Sequence, residues 1–414
     1  MPTLHHIRHI RPALTSMAAA ALLAAVSLPA SAQFITSDRT IANGNPLNGN
    51  YIGQSVIVGA SSIVNGVVTR VANVKVDIVS PAQFHFSDAT GGSMGLYSNS
   101  IVTMQGGTFG SSGTFANVGR LSVYDTSTVT ISGGSPAGIT INGTAAGDAG
   151  ARVSITVGQL VVPSGVGTLV QNGAFSMSGG SLLTSGSFQP AIYGVSGSVI
   201  SIAGGLVQSA SYAAVYLDAA SVFSMSGGSI TGGTLGGAQW GLRTEAVAAT
   251  AVLRGGTVNG GIRTTALNSQ VMPQAALGGN VTVNGGVFAY GNAVVDVTGG
   301  SYTRFAGADA SFFAMGTNSV NFYGTGLALS SPVTGQVFET NNYTGNFYTF
   351  TSGTFSDGQS AVGLRLFDAL SVAGNNLPGG FTLNPSPVPE PSTWLLMLLA
   401  LPAVAAAARR ERRT

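Results

Sequence analysis

One short pattern recurs through the middle of this chain and restricts its folding more than any other feature: apolar, polar, apolar, polar, Gly, Gly. Copies are Val102-Thr-Met104-Gln-Gly106-Gly107, Val129-Thr-Ile131-Ser-Gly133-Gly134, Phe175-Ser-Met177-Ser-Gly179-Gly180, Ile200-Ser-Ile202-Ala-Gly204-Gly205 and Phe223-Ser-Met225-Ser-Gly227-Gly228. Others are Val252-Leu253-Arg254-Gly255-Gly256, Val281-Thr-Val283-Asn-Gly285-Gly286 and Val295-Asp-Val297-Thr-Gly299-Gly300, with a degenerate copy at Val153-Ser-Ile155-Thr-Val157-Gly158. Steps between the first-glycine positions are 27, 24, 22, 25, 23, 28, 30 and 14 residues. Alternation with period two is the mark of a strand, and one strand signature per 20 to 30 residues is the mark of a solenoid. Glycine at the end of each strand permits the positive φ that a corner needs.

A strand of four residues cannot stand alone, so successive coils must stack. The expected fold is all-β: a right-handed parallel β-helix, or β-solenoid, with the hand taken from the parallel-crossover preference. Val, Ile, Phe and Met point inward, Thr, Ser and Asn outward, and like residues lie above like at about 4.8 Å per coil. About nine coils between Phe84 and Tyr302 would make a rod roughly 40 to 45 Å long.

A second recurring feature precedes the glycines: Gly95-Leu96-Tyr97, Ser122-Val123-Tyr124, Ala191-Ile192-Tyr193, Ala214-Val215-Tyr216, Gly241-Leu242-Arg243 and Gly261-Ile262-Arg263. This predicts a second strand per coil with its aliphatic residue inward. Tyr97, Tyr124, Tyr193, Tyr216, Arg243 and Arg263 then form an outward stripe. Aromatic faces and guanidinium groups one coil apart can stack on sugar rings, which makes the stripe a candidate contact for a surface glycan or exopolysaccharide. The structural alternative is a ladder of like residues that stack only on each other.

The flanks differ from the middle. Residues 33–83 are Asn/Gly-rich and then strand-rich, an expected N-terminal cap over the first open edge, followed by the repeats at 84–317. Residues 318–383 are expected to form a C-terminal β cap, including a hairpin from Phe347 through Asp357-Gly358 to Phe367. Asn384-Pro385-Ser386-Pro387 reads as a short linker.

The two ends carry addresses. His5, His6, Arg8, His9 and Arg11 form a basic region, Ala13 to Leu28 an apolar one, and Ala30-Ser31-Ala32 fits an A-x-A cleavage site before Gln33; residues 1–32 are therefore expected to be a signal peptide with a helical apolar core. At 384–414, Pro389-Glu390-Pro391 precedes an uncharged run from Trp394 to Ala408 and then Arg409, Arg410, Arg412 and Arg413. As a helix the run spans roughly 22 Å, short of the roughly 30 Å hydrocarbon core. The arginines would hold the end of the chain on the cytoplasmic side, leaving the Pro-Glu-Pro tripeptide near the outer membrane surface.

This tail resembles the PEP-CTERM signal of exported proteins of Gram-negative bacteria. The resemblance implies a short transmembrane sorting helix, transient anchoring in the inner membrane, and processing by an exosortase, a membrane-embedded cysteine transpeptidase. It further implies delivery to the cell surface or the extracellular matrix. The repeat region is similar in pattern to adhesin and autotransporter-passenger β-helices.

Removing both ends changes the charge argument. Between Gln33 and Val388 there are ten arginines and lysines against twelve acids, so no basic patch remains for a nucleic-acid partner. Cysteine is absent, so no disulfide and no Cys-containing zinc site is available. The acids fall mostly one per coil, with no Asp-Asp or Asp-x-Asp pair, and His85 is the only histidine in that span. No Gly-Gly-x-Gly-x-Asp calcium repeat and no phosphate loop is present. No cofactor or metal is expected. The sequence points to a non-enzymatic structural or adhesin-like protein of a biofilm or surface matrix; the alternative is a β-helix hydrolase or lyase acting on polysaccharide, which would need two carboxylates facing each other across a groove.

Overall fold

The structure, a computed structural model, describes residues from Ala32 to Asn384 except 36–38, 42–48, 51–54, 59, 65–66, 71–74, 79–82, 86–92, 106–107, 111–119, 135, 137, 144–149, 163–164, 187, 236–237, 246–247, 267–272, 305–308, 338–342 and 370–379. The segments assigned to the signal peptide up to Ala30, and to the sorting tail with Pro389, Glu390, Pro391, Arg409, Arg410, Arg412 and Arg413, lie outside the described residues. No helix among the described residues is long and apolar enough to cross a membrane.

The fold is a parallel β-solenoid built from three sheets. One coil runs through Ile192–Val195 on the first sheet, Val199–Ile202 on the second and Leu206–Ser209 on the third. The next coil repeats it at Val215–Leu217, Val222–Met225 and Ser229–Thr231. All three pairings are parallel and share one offset: Ile192 faces Val215, Val199 faces Val222 and Leu206 faces Ser229. Between Phe84 and Tyr302 the second sheet has nine rungs, from Ile101–Met104 to Val294–Val297, as the repeat spacing predicts.

The bore is filled by the residues that the alternation assigns to it. On the second sheet Val102, Val129, Val153, Phe175, Ile200 and Phe223 form one inward file and Met104, Ile131, Ile155, Met177, Ile202 and Met225 the other, all 2% exposed or less. Each buried side chain of this size contributes about 1.5–3 kcal/mol relative to exposure. That burial, repeated coil after coil, is what the chain has in place of disulfides.

The third sheet was not anticipated as a strand. Its inward residues Leu160, Leu182, Val207, Ile230 and Val258 each fall two positions after the second glycine and are buried. One expected repeat copy is also reassigned. Val281-Thr-Val283-Asn284 belongs to the third sheet, pairing with Gly256–Asn259, while the second-sheet rung of that coil is Gln274–Leu277 with Gly278-Gly279 after it. With this correction the irregular steps of 30 and 14 become 23 and 21.

Both glycines of the pair have a physical reason. The second adopts positive φ, 76° at Gly180, 86° at Gly205 and 80° at Gly228. The first lies against the coil before it, where a Cβ at Gly179 would sit 2.2 Å from the Thr156 carbonyl oxygen and one at Gly204 2.3 Å from that of Ser178. The corner between first and second sheets obeys a different rule. Ser100, Ser127, Ala151, Ser198, Ser221, Ala249 and Ala293, each just before a second-sheet rung, are fully buried. At Gly173, in the same file, a Cβ would meet the Ala151 carbonyl oxygen at 2.8 Å, so only small residues fit.

The flanks carry coils of their own. Ala32–Ile35 pairs with Ser55–Val58, which pairs with the first-sheet rung Ser93–Leu96. Arg39–Ile41 pairs with Lys75–Ile78, which pairs with Ile101–Met104. The segment expected as a cap thus extends the same ladders, and Ala32 and Gln33, flanking the expected cleavage point, lie in its first rung. At the other end Tyr343–Phe355 turns at Asp357-Gly358 and returns as Arg365–Ala369, which adds a first-sheet rung on Phe312–Met315. Gly380–Asn384 adds a last rung to the second sheet, on Ser319–Tyr323. The hairpin is the one expected, with Gly358 at φ 91°. Its turn is pinned to the solenoid: the Asp357 carboxylate accepts from the Gly300 N–H at 3.1 Å, and the Gln359 amide donates to the Gly279 carbonyl at 3.1 Å.

Candidate functional site

The six residues expected to form one outward stripe separate into two files on the outer face of the first sheet. Rung register places Tyr193, Tyr216, Arg243, Arg263, Phe288, Phe313 and Phe367 directly above one another. Tyr97 and Tyr124 belong to the neighbouring file: Tyr124 faces Asn142, which faces Gln171. The sequence offset of the tyrosine from its glycines did not reveal this two-residue shift, because turn length varies from coil to coil.

The longer file is largely covered. Tyr212 and Trp240, from the connections leading into the first sheet, pack over it, and with Tyr216, Phe288, Phe313, Phe347 and Phe367 they form a second apolar cluster outside the bore. Trp240 meets Phe288 edge-on at 4.8 Å, and Phe288 stacks flat on Phe313 at 4.2 Å. Tyr216 is only 9% exposed and Tyr212 7%. In the other file Tyr97 and Tyr124 stack at 4.8 Å with 12° between planes. Rings in such a ladder give their faces to one another and turn their edges outward.

The polar atoms of this face are engaged with neighbouring coils. The Tyr193 hydroxyl donates to the Asp218 carboxylate at 3.3 Å, and the Tyr216 hydroxyl to the Glu245 carboxylate at 3.0 Å. Each bond runs diagonally, one coil up and two residues along. Arg243 forms an ion pair with Glu245 along its own strand and donates to the Tyr212 hydroxyl at 2.9 Å. Its guanidinium lies 5.5 Å from the centres of both Tyr212 and Tyr216, and that of Arg263 lies 5.6 Å from Trp240.

This packing shifts the titrations. Burial first, and Glu245 second, push the Tyr216 hydroxyl far above the usual tyrosine range; burial and then Asp218 do the same to Tyr193. Burial also raises Asp218. At Arg243 burial acts to lower the pKa, but Glu245 and the two tyrosines outweigh it and the net direction is upward. Arg120, buried at the edge of the same sheet and donating to the Ile139 and Val166 carbonyls, is lowered to about 10 by desolvation.

Asp218 and Glu245 stand at matching places on adjacent first-sheet rungs, since Leu217 faces Thr244. Sequence reading, which found the acids scattered, missed this pair; the signal was their common offset of two residues after Tyr216 and Arg243. The other carboxylates also hold structure together. Asp125 accepts from the Ser98 N–H, Asp296 from Asn321 and Tyr323, and Asp309 from Arg304 and Arg365. Among the described residues no three His, Cys, Asp or Glu side chains gather where a metal could bind.

Residues 387–413 match the PEP-CTERM protein-sorting motif. No curated protein and no solved structure matches the chain. The motif marks an exported protein that transits a membrane and is sorted by an exosortase.

Proposed function

With residues 387–413 as a PEP-CTERM sorting motif, we propose that this chain is a non-enzymatic scaffold, exported by its N-terminal signal and displayed at the surface or in the extracellular matrix of a Gram-negative cell. There the rod serves a structural or adhesin-like role, making weak repeated contacts with exopolysaccharide along its neutral, Ser/Thr-lined faces. The observation that carries this reading is the use of the charged groups: Asp125, Asp218, Glu245, Asp296, Asp309 and Asp357 each bind a group on another coil or on the hairpin. Groups committed in this way join one coil to the next.

The test is fractionation of the native cells with intact-mass analysis of the product. A mature form trimmed near Gln33 and near Pro389-Glu390-Pro391, in the surface or matrix fraction, is the expected result. An untrimmed chain retained in the inner membrane would overturn the proposal.

The paired placement of Asp218 and Glu245 favours a second reading, a polysaccharide hydrolase or lyase. Against it, each carboxylate already accepts a tyrosine hydroxyl, and Arg243 neutralises Glu245. Loss of exopolysaccharide-cleaving activity in Asp218→Asn and Glu245→Gln variants that remain folded would establish it.

A further inference from the structure

The last rung of the second sheet stands close in sequence to the sorting motif. Gly380–Asn384 pairs in parallel with Ser319–Tyr323, and Asn384 faces Tyr323. Pro389 follows five positions later, so a docked rung holds the motif no more than about 18 Å of extended chain from the rod. The fixed residue before this rung is Ala369, the end of the terminal first-sheet rung. From there Pro389 is twenty positions away, a reach of up to about 70 Å.

The rung is lightly held. Among the described residues it has one strand neighbour, whereas the second-sheet rungs inside the ladder have two. Its inward residues Phe381 and Leu383 are only partly buried against the core, in contrast to the fully buried Val320 and Phe322 directly below. Phe381 sits 6.1 Å from the ring of Phe322 and 6.5 Å from that of Tyr348. Terminal strands with few buried contacts are where local opening occurs most readily.

We infer that Gly380–Asn384 is a releasable strap that controls access to the sorting motif: docked, it draws the motif against the end of the rod; released, it gives the motif the reach that a membrane-embedded processing enzyme needs. This deepens the scaffold reading and rests on the tail being a processing signal. The chemistry at the motif is unchanged by the strap. What the strap sets is the fraction of molecules able to present it, and a competent state populated about one time in ten slows use of that state about tenfold.

The experiment follows trimming of the full-length precursor by pulse-chase in its native cells. One variant carries twelve Gly/Ser residues between Asn384 and Pro385, which lengthens the tether with the rung intact. A second, Phe381→Ser with Leu383→Ser, undocks the rung. Faster trimming of the insertion variant, by about tenfold for a released population of one in ten, is the expected result, and the undocked variant should match it. Hydrogen exchange on the undocked variant should show loss of protection at 380–384 and retention along 192–297; if it unfolds more widely, the insertion variant decides alone. Trimming of the insertion variant at or below the native rate overturns the strap. A Glu390→Ala variant separates the two levels: trimming that ignores this change would instead remove the sorting reading on which the strap rests.

Discussion

The hydroxyl of Tyr216 donates to the carboxylate of Glu245, 29 residues later and one coil higher, at 3.0 Å. Tyr193 makes the same diagonal bond to Asp218. Two residue types that could have served a ligand thereby bind one coil to the next.

This bond predicts an alkaline limit to stability. Burial raises Tyr193, Tyr212 and Tyr216 above the ordinary tyrosine value of 10. A tyrosine whose folded pKa lies above its unfolded one contributes its full stability below pH of about 10, and loses it as pH rises toward the folded value. Thermal midpoints should therefore hold steady between about pH 7 and 9 and fall above about 10. Tyr216→Phe should flatten that fall, and tyrosinate absorbance should appear together with unfolding.

The two glycines of a pair should respond to substitution for different reasons. Gly204→Ala places a Cβ 2.3 Å from the Ser178 carbonyl oxygen, and overpacking of this kind costs about 1–3 kcal/mol. Gly358→Ala in the hairpin turn meets nothing within 4 Å but has φ of 91°, so only the backbone term of about 1–2 kcal/mol applies. At Ala248, where φ is 66°, Ala248→Gly should raise stability by about 0.5–1 kcal/mol. Denaturant midpoints of the three variants check the order.

The hairpin anchor should be separable from the rod. Asp357→Ala removes the acceptor for the Gly300 N–H and for the Gln359 N–H at 3.0 Å, a loss of about 1–3 kcal/mol. Hydrogen exchange should quicken across 343–369 and stay unchanged across 192–230.

Core truncation should act locally. Phe223 is fully buried between Ile200 and Ala251 in its file, so Phe223→Ala should cost about 3–5 kcal/mol. In a solenoid each coil contacts only its neighbours, so exchange protection should fall most between about 199 and 253.

The coil was legible because alternation and Gly-Gly occur together, and neither alone would have sufficed. Alternation does not say which sheet a strand joins, which is why Val281-Thr-Val283-Asn284 was read as a second-sheet rung; the true rung, Ala275-Ala276-Leu277, is masked by alanines. The outer cluster was not legible. Trp240, Phe288 and Phe313 meet only through inter-coil register, and register depends on connection lengths that vary from turn to turn. The sorting tail was legible because it is contiguous in sequence.

A shared pairing offset on all three sheets has a genetic consequence. Excising one full period, for instance Ile192 through Ala214, would set Val215 where Ile192 had been and leave every remaining contact of the same kind. Gene slippage by one repeat unit would change how far this molecule projects without redesigning any joint, and such length variants are the ones a population could accumulate most freely.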